Sequence, residues 1–301
     1  MVSDDGSHVA LHRPVLASTG LEWLRPAEGG AYVDATVGLG GHAEQLLDAG
    51  AEKLVGLDRD PEALALAQTR LHRFGDRVRL RHGNFRHLRA HLQALGIEAT
   101  RGILFDLGLS SYQIEQPGRG FSFIRNEPLD MRFDPSQGAT AREWLARASL
   151  PEIERALDEY GEEPAARRIA RALLAARETR SLATTGQLAE LVKRAIPRNR
   201  WPRRLHVATR TFQAIRMVVN EEIPALAEAL PQAAEHLEPG GRLVVIAFHS
   251  GEDRVVKQTF LRLAATRRWA VRTRRPVTPD LHEIEMNPRA RSAKLRVLER
   301  V

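Results

Sequence analysis

No cysteine occurs in this chain of 301 residues. That absence excludes disulfides, thiolate-held zinc, iron–sulfur clusters and any reaction that needs a cysteine nucleophile. Lysine is scarce, four against 41 arginines, and aromatic residues make up only 5%. An arginine bias of this kind can follow genome composition, so alone it says little about partners. No apolar run approaches the roughly 18 residues of a membrane-spanning helix. Met1–His12 is polar and shows no basic-then-apolar leader. These absences read as a soluble protein of the cytoplasm with no membrane partner. Internal repeats and low-complexity segments are missing too, and nothing specifies an oligomeric state.

With 43% hydrophobic residues the chain can build one large core or two modest ones. Its net charge is +7, unevenly spread. Lys193–Arg216 holds eight basic residues and no acid, and Arg262–Val301 holds eleven basic against four acidic. The other 237 residues sum to −8. A slightly acidic body with two basic stretches suits a polyanion-binding surface, with ordinary solvated arginine as the bland alternative.

The first third alternates strand-like and helix-like segments. Ala31–Val37, Lys53–Leu57, Val78–Arg81 and Gly102–Phe105 read as strands, with helices over Gly41–Ala49, Asp60–Phe74 and Phe85–Leu95 between them. Asp60 suits a helix N-cap and Pro61 the first turn. Crossovers of this length imply a parallel sheet. Gly108–Met131 then reads as loop. Helices follow near Thr140–Arg147, Pro151–Glu159, Glu163–Ala176 and Thr185–Ala195. Thr211–Leu237 is helical, broken near Pro224 and Pro231. Strand character resumes at Arg242–Phe248, before a helix over Gly251–Ala264 and strands at Trp269–Thr273 and Ala293–Glu299. The fold class is therefore α/β, a doubly wound Rossmann-like sheet interrupted by a helical insertion. Its segments are 1–109, the insertion 110–205, and 206–301.

Gly38, Gly40 and Gly41 stand where the first strand turns into the first helix. Glycine there lets backbone approach a ligand, and the helix start offers free N–H groups. Asp58 ends the second strand, 20 residues after Gly38, where an acid can bind the two hydroxyls of a ribose. A dinucleotide and S-adenosylmethionine both fit this much. Asp34, four residues before the first glycine, favours S-adenosylmethionine, because an acid beneath the loop can orient the amino-acid end of the methyl donor. Phe85 reads as an adenine-stacking ring or as core. Asp106, ending the fourth strand, reads as an acceptor for an amine being methylated, a cofactor contact or a structural cap.

These segments form an ordered set. They are YVDATVGLGGH (Tyr32–His42), LDRDPEA (Leu57–Ala63), FDLGLSS (Phe105–Ser111) with Gln113, RGFSF (Arg119–Phe123), PLDMR (Pro128–Arg132), ATRTFQA (Ala208–Ala214), FHS (Phe248–Ser250) and NPRARSAKLR (Asn287–Arg296), preceded by HRPVL from His12. In them the chain resembles the RsmH family, also called MraW, of ribosomal RNA small-subunit methyltransferases, over nearly its whole length. The resemblance implies a Rossmann-like methyltransferase sheet with a helical substrate-recognition insertion and S-adenosylmethionine as donor. The implied reaction is N4-methylation of a decoding-region cytidine in 16S rRNA, within the small ribosomal subunit. It also implies that Gly40, Gly41, His42, Asp58, Phe85, Asp106 and Gln113 contact the cofactor. Ala43, Tyr112, Val207 and Gly251 depart from the common family residues, but none of them removes a carboxylate, histidine or glycine of the expected site.

The missing cysteine fits that reading. Methylation at C5 of a pyrimidine usually proceeds through a thiolate adduct, whereas transfer to an exocyclic amine needs none. The amine lone pair must be aligned with the methyl group, and an acceptor must take its hydrogen. Asp106 is the first choice for that acceptor. Ser110 supplies a hydroxyl near the base, and His249 reads as a proton relay or a structural histidine. Lys193–Arg204 and Arg289–Arg296 are the better phosphate contacts. Arg210 and Arg216 instead read as phosphate contacts or as partners of Glu221 and Glu222. The target base must leave its stack, with Tyr112, Phe121, Phe123 and Trp201 read as stacking residues or as anchors of the loop against the insertion, the anchor reading being favoured for Phe123. The spacing of His82, His87 and His91 gives no metal ligand set. The alternatives are a nicotinamide-dependent oxidoreductase, an amine methyltransferase for another RNA base, and a non-catalytic rRNA-binding assembly protein.

Overall fold

The structure, a computed structural model, describes residues 14–179, 182–203 and 205–301. His12 and Arg13 of the first motif, and Arg204 of the first basic stretch, lie outside the described residues. In chain order come α1 (Ala17–Leu24), β1 (Ala31–Asp34), α2 (Gly41–Asp48), β2 (Lys53–Asp58), α3 (Pro61–Leu71), β3 (Val78–His82), α4 (Leu88–Ala94) and β4 (Thr100–Asp106). Then follow α5 (Ser111–Glu115), α6 (Ala141–Arg147), α7 (Leu150–Glu159), α8 (Ala166–Thr179), α9 (Thr185–Ala195), α10 (Thr209–Val219) and α11 (Glu222–Glu235). The chain ends with β5 (Leu237–Ala247), α12 (Ser250–Ala264), β6 (Trp269–Val271), α13 (Leu281–Met286) and β7 (Lys294–Arg300).

The seven strands form one sheet in the order β3-β2-β1-β4-β5-β7-β6. The first five in that order pair in parallel, and β7 runs antiparallel to both its neighbours. Strand order reverses between β1 and β4, which places the ligand crevice of such a sheet beyond their carboxyl ends. Alternation along each strand fills both faces. Val33, Val55, Ile103 and Val245 enter one core, while Tyr32, Leu54, Leu104 and Val244 enter the other. Glu299 on β7 accepts from Arg242 on β5 at 2.7 Å and from Arg272 at 3.0 Å. This ties the antiparallel edge together. Among the described residues, no helix is long and apolar enough to cross a membrane.

The chain divides into two compact units. One holds the described residues up to Gly108 with Ala225–Val301, and the other is Leu109–Pro224. The second boundary thus falls at 224 rather than 205. Phe212 and Ile215 of α10 belong to the helical core with Leu157, Ile169, Leu188 and Val192. Asn220, after α10, donates to the Met131 carbonyl at 2.7 Å and accepts from the Phe133 N–H at 2.8 Å. These bonds fix residues 206–224 in the helical unit.

The helix expected over Thr211–Leu237 breaks at Asn220–Glu221, where Glu221 takes φ 49°, and not at either proline. Pro224 lies in the first turn of α11, where its missing N–H costs nothing, and Pro231 is carried inside the helix. The stretch expected as loop contains α5, closed by a reciprocal cap between Ser110 and Gln113. Thr140 with Glu143, Ser149 with Glu152 and Thr184 with Gln187 start α6, α7 and α9 in the same way.

Candidate active site

The loop after β1 is shaped by glycine. Gly38 and Gly40 have φ of 50° and 82°, and a Cβ on Gly40 would meet Leu71 at 3.2 Å. Asp58 organises this loop. Its Oδ2 accepts the Gly38 N–H at 2.7 Å and its Oδ1 the Asp60 N–H at 2.9 Å. Burial pushes the Asp58 carboxyl up to about 6, although the N–H groups of Asp60 and Gly38 pull the other way. A carboxylate offers about four lone-pair sites, and with the N–H groups of Gly38, Asp60 and Arg59 on it Asp58 retains acceptor capacity on one oxygen.

Asp34, His42 and Asp106 form the chemical centre of the sheet unit. Asp34 ends β1, His42 lies in the first turn of α2, and Asp106 ends β4. Pairing of Asp34 with Leu104 puts the two strand ends side by side. His42 Nε2 stands 3.3 Å from Asp106 Oδ2. The Asp106 N–H donates to Thr36 Oγ1 at 2.7 Å, and Asp34 Oδ1 accepts the Thr36 N–H at 3.2 Å. Thr36 thereby joins the two acids.

The cluster leaves polar atoms without partners. Asp34 Oδ2 and Asp106 Oδ1 are buried and make no hydrogen bond, and His42 Nε2 has only its electrostatic contact with Asp106 Oδ2. Burial pushes Asp34 up to about 7, against the pull of His42 and the Thr36 N–H, with Asp106 and Asp58 adding to the rise. Burial opposes the charge on His42, but Asp106 and Asp34 outweigh it and raise its pKa. Burial thus moves the Asp34 acid to near neutral pH, the range useful for proton handling, with the raised His42 imidazole beside it.

Phe85 packs edge-to-face on Phe105 with centroids 5.5 Å apart, at the rim of one core. It remains half-buried. His249 turns out to be the N-cap of α12. Its Nδ1 accepts from Gly251 and Glu252 at 3.1 and 3.3 Å, and its Nε2 is 3.2 Å from Glu252 Oε1. Nδ1 therefore serves the start of its own helix and gives His249 a capping role, while the buried Nε2 makes no hydrogen bond.

Ser110 and Gln113 belong to the helical unit. Ser110 Oγ accepts the Gln113 N–H and Gln113 Oε1 accepts the Ser110 N–H, both at 3.1 Å. These bonds give Ser110 a capping role, in which its hydroxyl oxygen accepts.

Several phosphate expectations also change. Arg216 makes a two-point pair with Glu222 at 2.7 and 2.9 Å, and Arg210 donates to the Glu162 carbonyl at 3.0 Å. Arg296 is buried on Asp253 at 2.6 Å. Arg289 and Arg291 stay exposed, as do Arg194, Arg198, Arg200 and Arg203. Among the stacking choices, Phe121 is buried, and the Trp201 indole N–H donates to the Ile196 carbonyl at 2.9 Å. Phe123 is covered by His206, a ring not singled out from the sequence.

A doubly wound sheet with a glycine turn after β1, an acid closing β2 and paired acids closing β1 and β4 defines a Rossmann-like nucleoside-cofactor enzyme of the methyltransferase class. Residues 9–301 match the model of the MraW methylase family. Proteins described as ribosomal RNA small subunit methyltransferase H are similar along their whole length. The one from Anaeromyxobacter sp. (strain K) is 48% identical over 305 residues, covering 96% of this chain and 98% of the relative. Those from Thermomicrobium roseum and Pelobacter propionicus are 47% and 45% identical, each over 96% of this chain and over 94% and 98% of their own. The chain belongs to the MraW methylase family.

Proposed function

We propose that this protein transfers a methyl group from S-adenosylmethionine to N4 of a decoding-region cytidine in 16S rRNA, within the small ribosomal subunit and in the cytoplasm. Family membership supports the substrate. The observation that carries the chemistry is the cluster of buried, partnerless acceptors on Asp34 and Asp106 around His42. The donor's amino-acid end and sulfonium are cationic and its ribose presents two hydroxyls. Unsatisfied carboxylate oxygens at the ends of β1 and β4, with acceptor capacity on Asp58, suit that set.

Asp58 would hold the ribose hydroxyls, the backbone of Gly38, Gly40 and Gly41 would line the loop, and the half-buried Phe85 would flank the adenine. The bound donor supplies an electrophilic methyl on a good leaving group. Asp106 Oδ1 takes the hydrogen that N4 loses as the nitrogen gains its methyl. His42 sits against Oδ2 and orients the carboxyl group for that task. Asp34 is the buried counter-charge that holds His42. No covalent adduct with the base is needed, in keeping with a chain that has no cysteine.

The test is incubation with labelled donor and small ribosomal subunits lacking the modification, followed by nucleoside mass spectrometry. The expected product is N4-methylcytidine. Label on a C5 carbon or on adenine would contradict the assignment.

A further inference from the structure

The first basic stretch has a second feature besides its arginines. His206 stacks on Phe123 with centroids 4.4 Å apart and planes at 25°, and Phe212 meets Phe123 edge-on at 5.0 Å and 75°. Phe123 and Phe212 are anchored in the helical core, whereas His206 is exposed. The column is therefore fixed at its base and presents one imidazole face outward. His206 Nδ1 accepts the Ala208 N–H at 3.2 Å, which fixes the ring and leaves its hydrogen on Nε2.

The surroundings are apolar at the rim and cationic beyond it. Ile124, next to Phe123, is 88% exposed, and Leu205, next to His206, is 53% exposed. Arg198, Arg200 and Arg203 are exposed on the same connecting segment. The charges acting on His206 are Lys193 and Glu190, which pair with each other at 2.7 Å. Burial of the inner ring face, helped by Lys193 and opposed by Glu190, lowers the His206 pKa and favours a neutral ring. A rigid, flat, uncharged ring with one polar edge, on a segment that also carries exposed guanidinium groups, matches a nucleobase and its phosphates. An acidic peptide would use the arginines but gain nothing from the ring face.

We propose that His206, seated on Phe123, is a stacking platform for an unpaired base of the RNA substrate, with Arg198, Arg200 and Arg203 holding the adjoining phosphates. This inference rests on the RNA substrate proposed above. It assigns a base-binding role to a residue outside the cofactor crevice.

The test measures binding of a single-stranded oligoribonucleotide carrying one 2-aminopurine, with the protein saturated in S-adenosylhomocysteine. H206A is expected to weaken binding about tenfold and to lose the fluorescence quenching of a stacked base. H206F, which keeps the flat face, should stay within about threefold of the wild type. R203A should weaken binding and flatten its salt dependence. Unchanged circular dichroism and thermal unfolding in every variant show that the fold is intact.

Equal affinity for H206A and wild type would overturn the platform, as would H206F being as weak as H206A. A defect seen with ribosomal particles but not with bare RNA would assign the face to a protein contact and also overturn it. Methylation of small subunits by the wild type runs in parallel. Its failure would remove the parent reading and the platform together. Its success with a normal H206A would remove the platform alone.

Discussion

The two units treat buried polarity in opposite ways. In the helical unit it is matched. Arg216 and Glu222 form a two-point pair, and Asn220 uses its side chain on Met131, Arg216 and Phe133. Glu127 accepts from the Gly120 N–H, and its own N–H donates to Thr185 Oγ1. Thr211 Oγ1 is the exception there among the described residues. In the sheet unit Asp34 Oδ2 and Asp106 Oδ1 at the strand ends make no hydrogen bond, nor do His42 Nε2 beside them and, elsewhere in the unit, Arg86 Nε, His91 Nε2 and His249 Nε2. A buried polar atom without a partner costs about 1–3 kcal/mol. Matched groups build a fold. Unmatched groups in a crevice mark the place where fold stability has been traded for ligand chemistry.

That contrast can be attacked at several points. The largest effect is expected at Asp106. D106N keeps the shape but loses the acceptor, and methyl transfer should fall by about 100-fold or more. Single-turnover rates measure this, and a rate near wild type would remove Asp106 from the chemistry. Next comes the matched pair of the helical unit. R216A removes the two-point partner of Glu222 and should lower unfolding stability by about 3 kcal/mol, whereas the double variant R216M/E222M should recover most of it. Denaturant titration gives both values. A double variant as unstable as R216A would mean that the pair does more than satisfy itself.

The smallest effect is expected at His249. H249A should cost about 1 kcal/mol, as a lost cap does, and H249N should restore it. If methyl transfer instead fell 100-fold in both variants with stability unchanged, the capping assignment would be wrong.

Much of this was legible in the sequence where the signal is local. The turn after β1 follows from Gly38 and Gly40, and Asp60 with Pro61 starts α3 as expected. The end of the helical unit was not legible. Its stop at Asn220 depends on Met131 and Phe133, which lie nearly ninety residues earlier in the chain. Prolines were the more visible marks but did not break the helix, because Pro224 sits in a first turn.

For the site, the residue types at the strand ends were readable. The lack of partners on Asp34 and Asp106 is a property of packing alone. The capping roles of Ser110 and His249 had a usable signal, a residue three positions on that can answer the cap, in Gln113 and Glu252. His206 had none, since its stack on Phe123 joins residues far apart in sequence.

The most direct test of the central claim is thermal unfolding of D34N and wild type at pH 8, with and without S-adenosylmethionine. Burial holds the Asp34 pKa near 7, above its ordinary 3.8. An acid raised in this way makes the fold less stable as pH climbs from about 4 through 7, and the full cost is present at pH 8. The account therefore predicts a higher Tm for D34N without the donor and a smaller rise on adding it, with the advantage fading toward pH 5. A lower Tm for D34N, with the donor-induced rise intact, would contradict the claim that Asp34 is kept for its ligand at the expense of the fold.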